Sequence, residues 1–380
     1  MSTLPALELS RLPQIDLRHL FVLTDDTGIL QHATHATPDL HHGYCTDDNA
    51  RALIAAVKVT ALPSDLWARN SGEGGFGPED LLVVTQRYLA FLAYAFNEDA
   101  GRFRNFMQYD RTWLEDIGSE DSHARTVWAL GTAVRLAPND DVAELAERLL
   151  HKALPATEQF EHIRPQAYTL LGVDEYLRSP RGGERAQRLH AALGTRVYEP
   201  WQQHATDDWP WWEDELTWGN AKLPHALLVT SLVAARADMR DDALTALRWL
   251  LEVQTGPAGQ LSIIGNRGWY RRGEQKATFD QQPIEAKGLV QACLTAASAT
   301  GDSTWTEHAR RCFEWFTGRN DVGAPLYNPA TGGGQDGLTE HGPNANQGAE
   351  STLAYLMSVL DLHHYDRAQK GNAHLAPTGW

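Results

Sequence analysis

Cysteine is nearly absent from this chain of 380 residues, with Cys45, Cys293 and Cys312 as the whole supply. An odd number with no short spacing offers neither a disulfide framework nor a zinc-ligand pattern. Positive clusters are missing too. Against 49 Asp and Glu stand only 33 Lys and Arg, a formal charge of −16, and no basic run serves nucleic acid or an anionic membrane surface. No segment approaches the ~18 apolar residues of a membrane span. Between Met1 and Leu20, Pro5, Glu8, Arg11, Pro13 and Asp16 interrupt the stretch a signal peptide would need. Gly-x-Gly-x-x-Gly and Walker patterns do not occur, and no His/Cys spacing suits a metal, so the expectation is no cofactor and no metal. A cytoplasmic protein in a reducing compartment is expected.

Strand signals are also scarce; helical periodicity fills the space. Two kinds of helix alternate. Ala50–Val59, His123–Leu136, Pro165–Leu177, Leu223–Ala235, Ile284–Ala297 and Ser351–Leu362 are apolar or small nearly all round, the mark of interior helices. Between them, Leu81–Phe96, Val142–Leu154, Glu184–Tyr198, Asp241–Val253 and Thr304–Gly318 are amphipathic. Interior helices recur every ~45 to 75 residues, which indicates an array of helical hairpins. Six of them close an all-α (α/α)6 toroid. The expectation is one domain over residues 1–380, with 1–40 as an extension packed on the barrel.

Each interior helix is led in by a polar segment: His41–Arg51, Ser119–Arg125, Glu161–Gln166, Trp218–His225, Phe279–Glu285 and Asn344–Glu350. In an up-down toroid these lead-ins converge on one mouth, ringed by the positive ends of six helices. N-capping alone accounts for a single Asp121, Asn220, Asp280 or Asn346. It does not account for the pairs Asp47-Asp48 and Glu120-Asp121, nor for Glu285 and Glu350 inside apolar helices. Buried carboxylates are paired or functional. Asp47, Asp48, Glu120, Asp121 and Glu285 are therefore the catalytic candidates, with Arg51, Arg125 and Lys287 as their cationic partners.

Around them, His42, Tyr44, Arg51, His123, Arg164, Asn220, Asp280, Gln282, Asn346, Gln347 and Glu350 are candidates for orienting hydroxyls, and Trp212 and Trp269 for stacking on sugar rings. The glycine-rich stretches Gly72–Gly77 and Gly332–Gly334 read as mobile, the second as a lid over the mouth.

The run from His19 through Leu23-Thr24-Asp25-Asp26-Thr27-Gly28-Ile29-Leu30-Gln31-His32-Ala33 into Gly43-Tyr44-Cys45-Thr46-Asp47-Asp48-Asn49-Ala50-Arg51 resembles a bacterial family of six-hairpin, glycosidase-like domains. Gly101–Phe106, Glu120–His123, Gly265–Tyr270, Phe279–Pro283 and Asn346–Thr352 extend the likeness over nearly the whole chain. Members of that family are often encoded with, or fused to, glycosyltransferases. The resemblance therefore implies the six-hairpin fold, a carbohydrate substrate and a glycosyltransferase as partner.

Three functions fit these residues. A glycoside hydrolase, inverting by preference, would use Asp47 or Asp48 opposite Glu120, Asp121 or Glu285. A sugar isomerase or epimerase of the acylglucosamine-epimerase type would instead use His123, His162 and His225. A non-catalytic glycan-binding partner would need neither set.

Overall fold

The computed structural model describes residues 12–68 and 76–375. Twelve α-helices account for most of them: α1 (Arg18–Leu23), α2 (Thr46–Thr60), α3 (Pro78–Ala95), α4 (Glu120–Leu136), α5 (Asp140–Ala153), α6 (Ile163–Leu177), α7 (Glu184–His204), α8 (Lys222–Val233), α9 (Ala237–Val253), α10 (Pro283–Thr300), α11 (Thr304–Glu314) and α12 (Ala349–Leu375). Strand structure among the described residues is confined to two-residue antiparallel ribbons and isolated bridges.

Burial follows the alternation read from the sequence. Every residue of α2 from Thr46 to Val59 is buried, and so is α4 from Ser122 to Val134. In α5 only Val142, Ala143, Ala146, Leu149, Leu150 and Ala153 are buried, one stripe at helical spacing. The even-numbered helices form the inner ring, each packed on the next, and α12 returns onto α2 to close it. Around them lie α3, α5, α7, α9 and α11, and α1 holds the sixth outer position against α12. The chain is an (α/α)6 toroid. Small residues set the ring's tightest approach: a Cβ on Gly131 of α4 would collide with the carbonyl oxygen of Gly172 on α6.

The two ends of the barrel differ in construction. Arg125 of α4 pairs with Asp47 in the first turn of α2, so these inner helices begin at the same end. The ribbons all fall in connections that lead into inner helices. That end carries the elaborated loops and is the mouth. From α4 onward the inner-to-outer turns at the far end span only a few residues.

Two sequence expectations change here. Gly333 and Gly334 are buried, pair with Asn328 and Tyr327, and lie against Gln347 and Ser351 too closely for any Cβ. Glycine serves close packing there, and the segment is no lid. Of the stretch Gly72–Gly77, residues 72–75 lie outside the described residues.

Candidate active site at the barrel mouth

The start of α2 is fastened from outside the ring. Tyr44 and Cys45 pair with Met107 and Phe106. The buried Tyr44 hydroxyl donates to Asp25 Oδ2 at 2.5 Å, the Cys45 thiol to Asn105 Oδ1 at 3.2 Å, and the Thr46 hydroxyl to the Arg104 carbonyl at 2.7 Å. This framework presents Asp47 and Asp48 to a cavity of about 300 Å³, whose wall also includes Gln31, His32, Asn105, Phe106, Asp336, Glu350 and the guanidinium-bearing Arg51.

Arg51 organises the carboxylates. Its Nη1 donates to Asp48 Oδ1 at 2.6 Å, while its Nη2 lies 3.1 Å from Asp47 Oδ2 and 2.8 Å from Glu350 Oε2. Arg125 adds a second guanidinium to Asp47 alone. That guanidinium also lies 5.0 Å from the Tyr168 ring centre and 5.1 Å from that of Trp218. The adjacent aspartates consequently titrate apart. Burial pushes both up; at Asp47 the fields of Arg125 and Arg51 outweigh it and hold the carboxyl below its ordinary value. At Asp48 burial prevails over Arg51, and Glu350 and Asp47 add repulsion, so the group is pushed up to about 7. Asp121 follows the same logic: burial raises it to about 6 against Arg125, with Asp47 adding to the rise. Burial raises Asp336 against its hydrogen bonds from Ser351 and Gly348.

Of the residues expected to act on substrate, Asp47, Asp48, Arg51 and Glu350 are brought together here. Asp121 stands close enough to share the field of Asp47. Others are occupied elsewhere. Glu120 accepts the backbone N–H groups of Glu161 and His162, both at 3.2 Å, and so tethers the lead-in of α6. Glu285 is buried and accepts from the Gly219 N–H and from Asn220, bracing the lead-in of α8; burial raises its pKa against those bonds. Asn220 completes that brace by bonding both ways with the Thr217 backbone. Arg164 holds the Trp218 carbonyl at 2.5 Å and Glu213 at 2.7 Å.

His123 is fully buried, accepting from the Phe103 N–H and donating to the Ala153 carbonyl; burial lowers it to about 3. Tyr44 and Trp212 are 1% exposed, and the indole of Trp212 donates to the Val197 carbonyl among Trp201 and Trp211. Neither presents a face to a sugar. Gln347 accepts from the Thr331 hydroxyl, and its carbonyl accepts from His19, while Asn346 accepts from the His35 N–H. These two anchor the N-terminal segment to the lead-in of α12. His42 is exposed, its ring 4.6 Å from that of His32. Asp280 pairs with Arg267 at 3.0 Å, and Trp269 and Gln282 are half-buried without lining the cavity. Among the described residues Lys287 forms no ion pair with a carboxylate; its ammonium lies 5.0 Å from the Trp128 ring centre.

Sequence reasoning overlooked Gln31, His32, Asn105, Phe106 and Asp336 as members of the wall. All five come from loops, without periodicity to flag them. The family likeness held the usable signal, since its runs include Gln31, His32, Asn105 and Phe106, though not Asp336.

A second cavity, about 390 Å³, opens among the C-terminal halves of the inner helices, with Trp128, His225, Gln291 and three ion pairs in its wall. The pairs are Lys58–Asp361, Arg135–Glu175 and Arg178–Asp174. His225 thus lies toward the far end, His123 is sealed, and His162 is exposed at the rim, so the three histidines of the isomerase reading do not meet.

No protein-family model matches the chain, and comparison with curated proteins returns no match. Solved structures do resemble it. Cellobiose 2-epimerase from Bacillus thermoamylovorans superimposes with a TM-score of 0.70 at 12% identity, over 92% of this chain and 96% of that one. A GH76 α-mannanase from Bacteroides thetaiotaomicron gives 0.62 at 10% identity, over 93% and 95%. An α-1,6-mannanase of Salegentibacter, inactivated by replacing two consecutive aspartates with alanine and bound to α-1,6-mannotetrose, gives 0.58 at 9% identity, over 92% and 96%. At such identities the likeness establishes the fold.

Proposed function

We propose that the chain is a glycoside hydrolase acting on a small glycan or oligosaccharide at the mouth cavity. One observation carries the reading: two adjacent aspartates on the first turn of α2, gripped by one arginine and lining the cavity, sit in surroundings that drive their pKa values in opposite directions. Asp48, pushed up to about 7, retains its proton near neutrality and serves as general acid to the leaving oxygen. Asp47, held ionised by two guanidinium groups, stabilises the positive charge that develops on the sugar ring. Glu350, its side chain 41% exposed and paired with Arg51, takes the role of activating water for an inverting displacement. Support comes from the Salegentibacter mannanase, a protein of the same fold in which loss of two consecutive aspartates abolishes activity.

The test is a screen of aryl glycosides and oligosaccharides, α-1,6-mannosides first, with NMR detection of the first-formed anomer. Turnover that survives Asp48→Asn in a folded protein ends the proposal.

A second reading, sugar epimerisation, draws on the fold shared with cellobiose 2-epimerase and on His32 in the cavity wall. Burial lowers the pKa of that imidazole, favouring its basic form. Solvent deuterium entering the carbon skeleton without glycosidic cleavage would establish it in place of hydrolysis. Buried, unpaired Cys45, Cys293 and Cys312 support a cytoplasmic setting, and the sequence resemblance alone supports a glycosyltransferase partner.

A further inference from the structure

Four short chain segments lie side by side at the edge of the mouth. Leu30 pairs with Tyr44, Tyr44 with Met107, and Met107 with Trp113. Successive residues on a strand point to opposite faces. Leu30, Tyr44, Met107 and Trp113 therefore share the inward face, and the first three are at most 3% exposed. The next row on the outward face reads Cys45, Phe106, Leu114. Phe106 faces Cys45 in the ladder, and the Leu114 N–H donates to the Phe106 carbonyl at 2.9 Å. Exposure climbs along that row from 5% at Cys45 to 39% at Phe106 and 59% at Leu114.

Gln31, Gln108 and Thr112 belong to the neighbouring row on the same face. Gln31 and Phe106 also line the mouth cavity, so this face continues the cavity wall outward. Gln108 and Thr112 are exposed, and Glu115 fixes the strand by accepting the N–H groups of Asn105 and Phe106.

We infer that this outward face is a binding platform for a second sugar ring, so that the substrate is a disaccharide or longer glycan extending from the Asp47–Asp48 cavity over Phe106 and Leu114. The inference rests on the hydrolase reading for its direction. An apolar strip beside amide and hydroxyl groups matches a pyranose, which offers a C–H face and a rim of hydroxyls. A protein partner would find only two large apolar side chains in this row, and no apolar row beyond them is needed by a single ring.

The full chain and its Leu114→Ser and Phe106→Ala variants are titrated calorimetrically with mannose, α-1,6-mannobiose, α-1,6-mannotetraose, glucose, cellobiose and cellotetraose. In at least one series the disaccharide should bind about tenfold tighter than its monosaccharide, a gain of ~1.4 kcal/mol. That ratio should collapse toward one in both variants, each checked for unchanged melting and sedimentation. Equal affinity for mono- and disaccharide overturns the platform, as does a ratio that survives both substitutions or an absence of binding by all six sugars. A variant that alters self-association while the ratio stands would reassign the face to a second copy of the chain. Turnover lost in Asp48→Asn together with no length dependence sinks the platform and spares the hydrolase; the converse result does the opposite.

Discussion

The two ends of the barrel hold cavities of similar size and similarly rich charge, yet they are wired differently. At the far end three carboxylates meet three cations one to one. The mouth cavity is lined by four carboxylates, Asp47, Asp48, Asp336 and Glu350, and by a single cation, Arg51. Asp361, although buried, is held below its usual value by Lys58. Burial raises Asp48 and Asp336, and the neighbouring acids add to the rise; raised carboxyls are what proton chemistry needs. Charge density alone does not mark a site; its imbalance does. On the proposed function, the larger of the two is the structural one.

The widest gap between the ends should appear in turnover. Asp48→Asn should lower kcat by ~10²- to 10⁴-fold, the span of general acid catalysis, with little change in melting. Asp361→Asn should leave kcat per folded molecule unchanged. If Asp361→Asn lowered kcat as far as Asp48→Asn, the division of labour between the ends would be gone.

Stability should show the opposite ranking. Removing Asp361 strands the buried Lys58 ammonium, and loss of one partner of a buried pair costs about 3–5 kcal/mol by denaturant melting. A loss below ~1 kcal/mol would show the far end to be no better fixed than a surface pair.

Acidity separates them further. Asp48 lies above its unfolded-chain value, so from about pH 4 to 7 the folded state keeps a proton that the unfolded chain has released. Its ionisation therefore reduces stability as pH rises across that window, and Asp48→Asn should gain in Tm over the parent between pH 4 and 8. Asp361 lies below its unfolded value. Its contribution is present above about pH 4 and fades as pH falls, so the deficit of Asp361→Asn should shrink in acid. Parallel Tm profiles for the two variants would contradict both assignments.

The smallest effect refines the mouth itself. Glu350 helps to hold Asp48 up, so in the residual turnover left once Glu350→Gln has removed the proposed base, the alkaline limb of the kcat/KM profile should lie at lower pH. A limb unmoved in that variant would mean that Glu350 has no part in setting Asp48.

Most of the fold was legible because interior helices of a toroid have no solvent face. Ala50–Val59 and Ile284–Ala297 advertise this by lacking charge on any side apart from Arg51, Lys58, Glu285 and Lys287. The adjacent aspartates were legible for a related reason, since one cap needs one acid. Sequence could not reveal where a carboxylate at a helix start points. Asp48 turns to the cavity, while Glu120 and Glu285 turn sideways to the backbone that leads into the neighbouring inner helix. Aromatics misled through the same blindness to direction: Trp212 is core, whereas Phe106 and Leu114, unremarkable as letters, face outward. Asp336 belongs to the site only because α12 folds back beside α2, which no local pattern encodes.

That return of α12 has a consequence for biosynthesis. Lys58 and Asp361 are 303 positions apart, and Arg51 and Glu350 are separated by nearly as much. A ribosome-bound chain that has produced the first five inner helices already carries Asp47, Asp48 and Arg51, but it has neither the sixth wall of the ring nor Glu350. Hairpins can form in sequence as they emerge, whereas ring closure must wait for the last helix. The mouth is therefore born at the end of translation, and on the proposed function activity itself would report that the ring has shut.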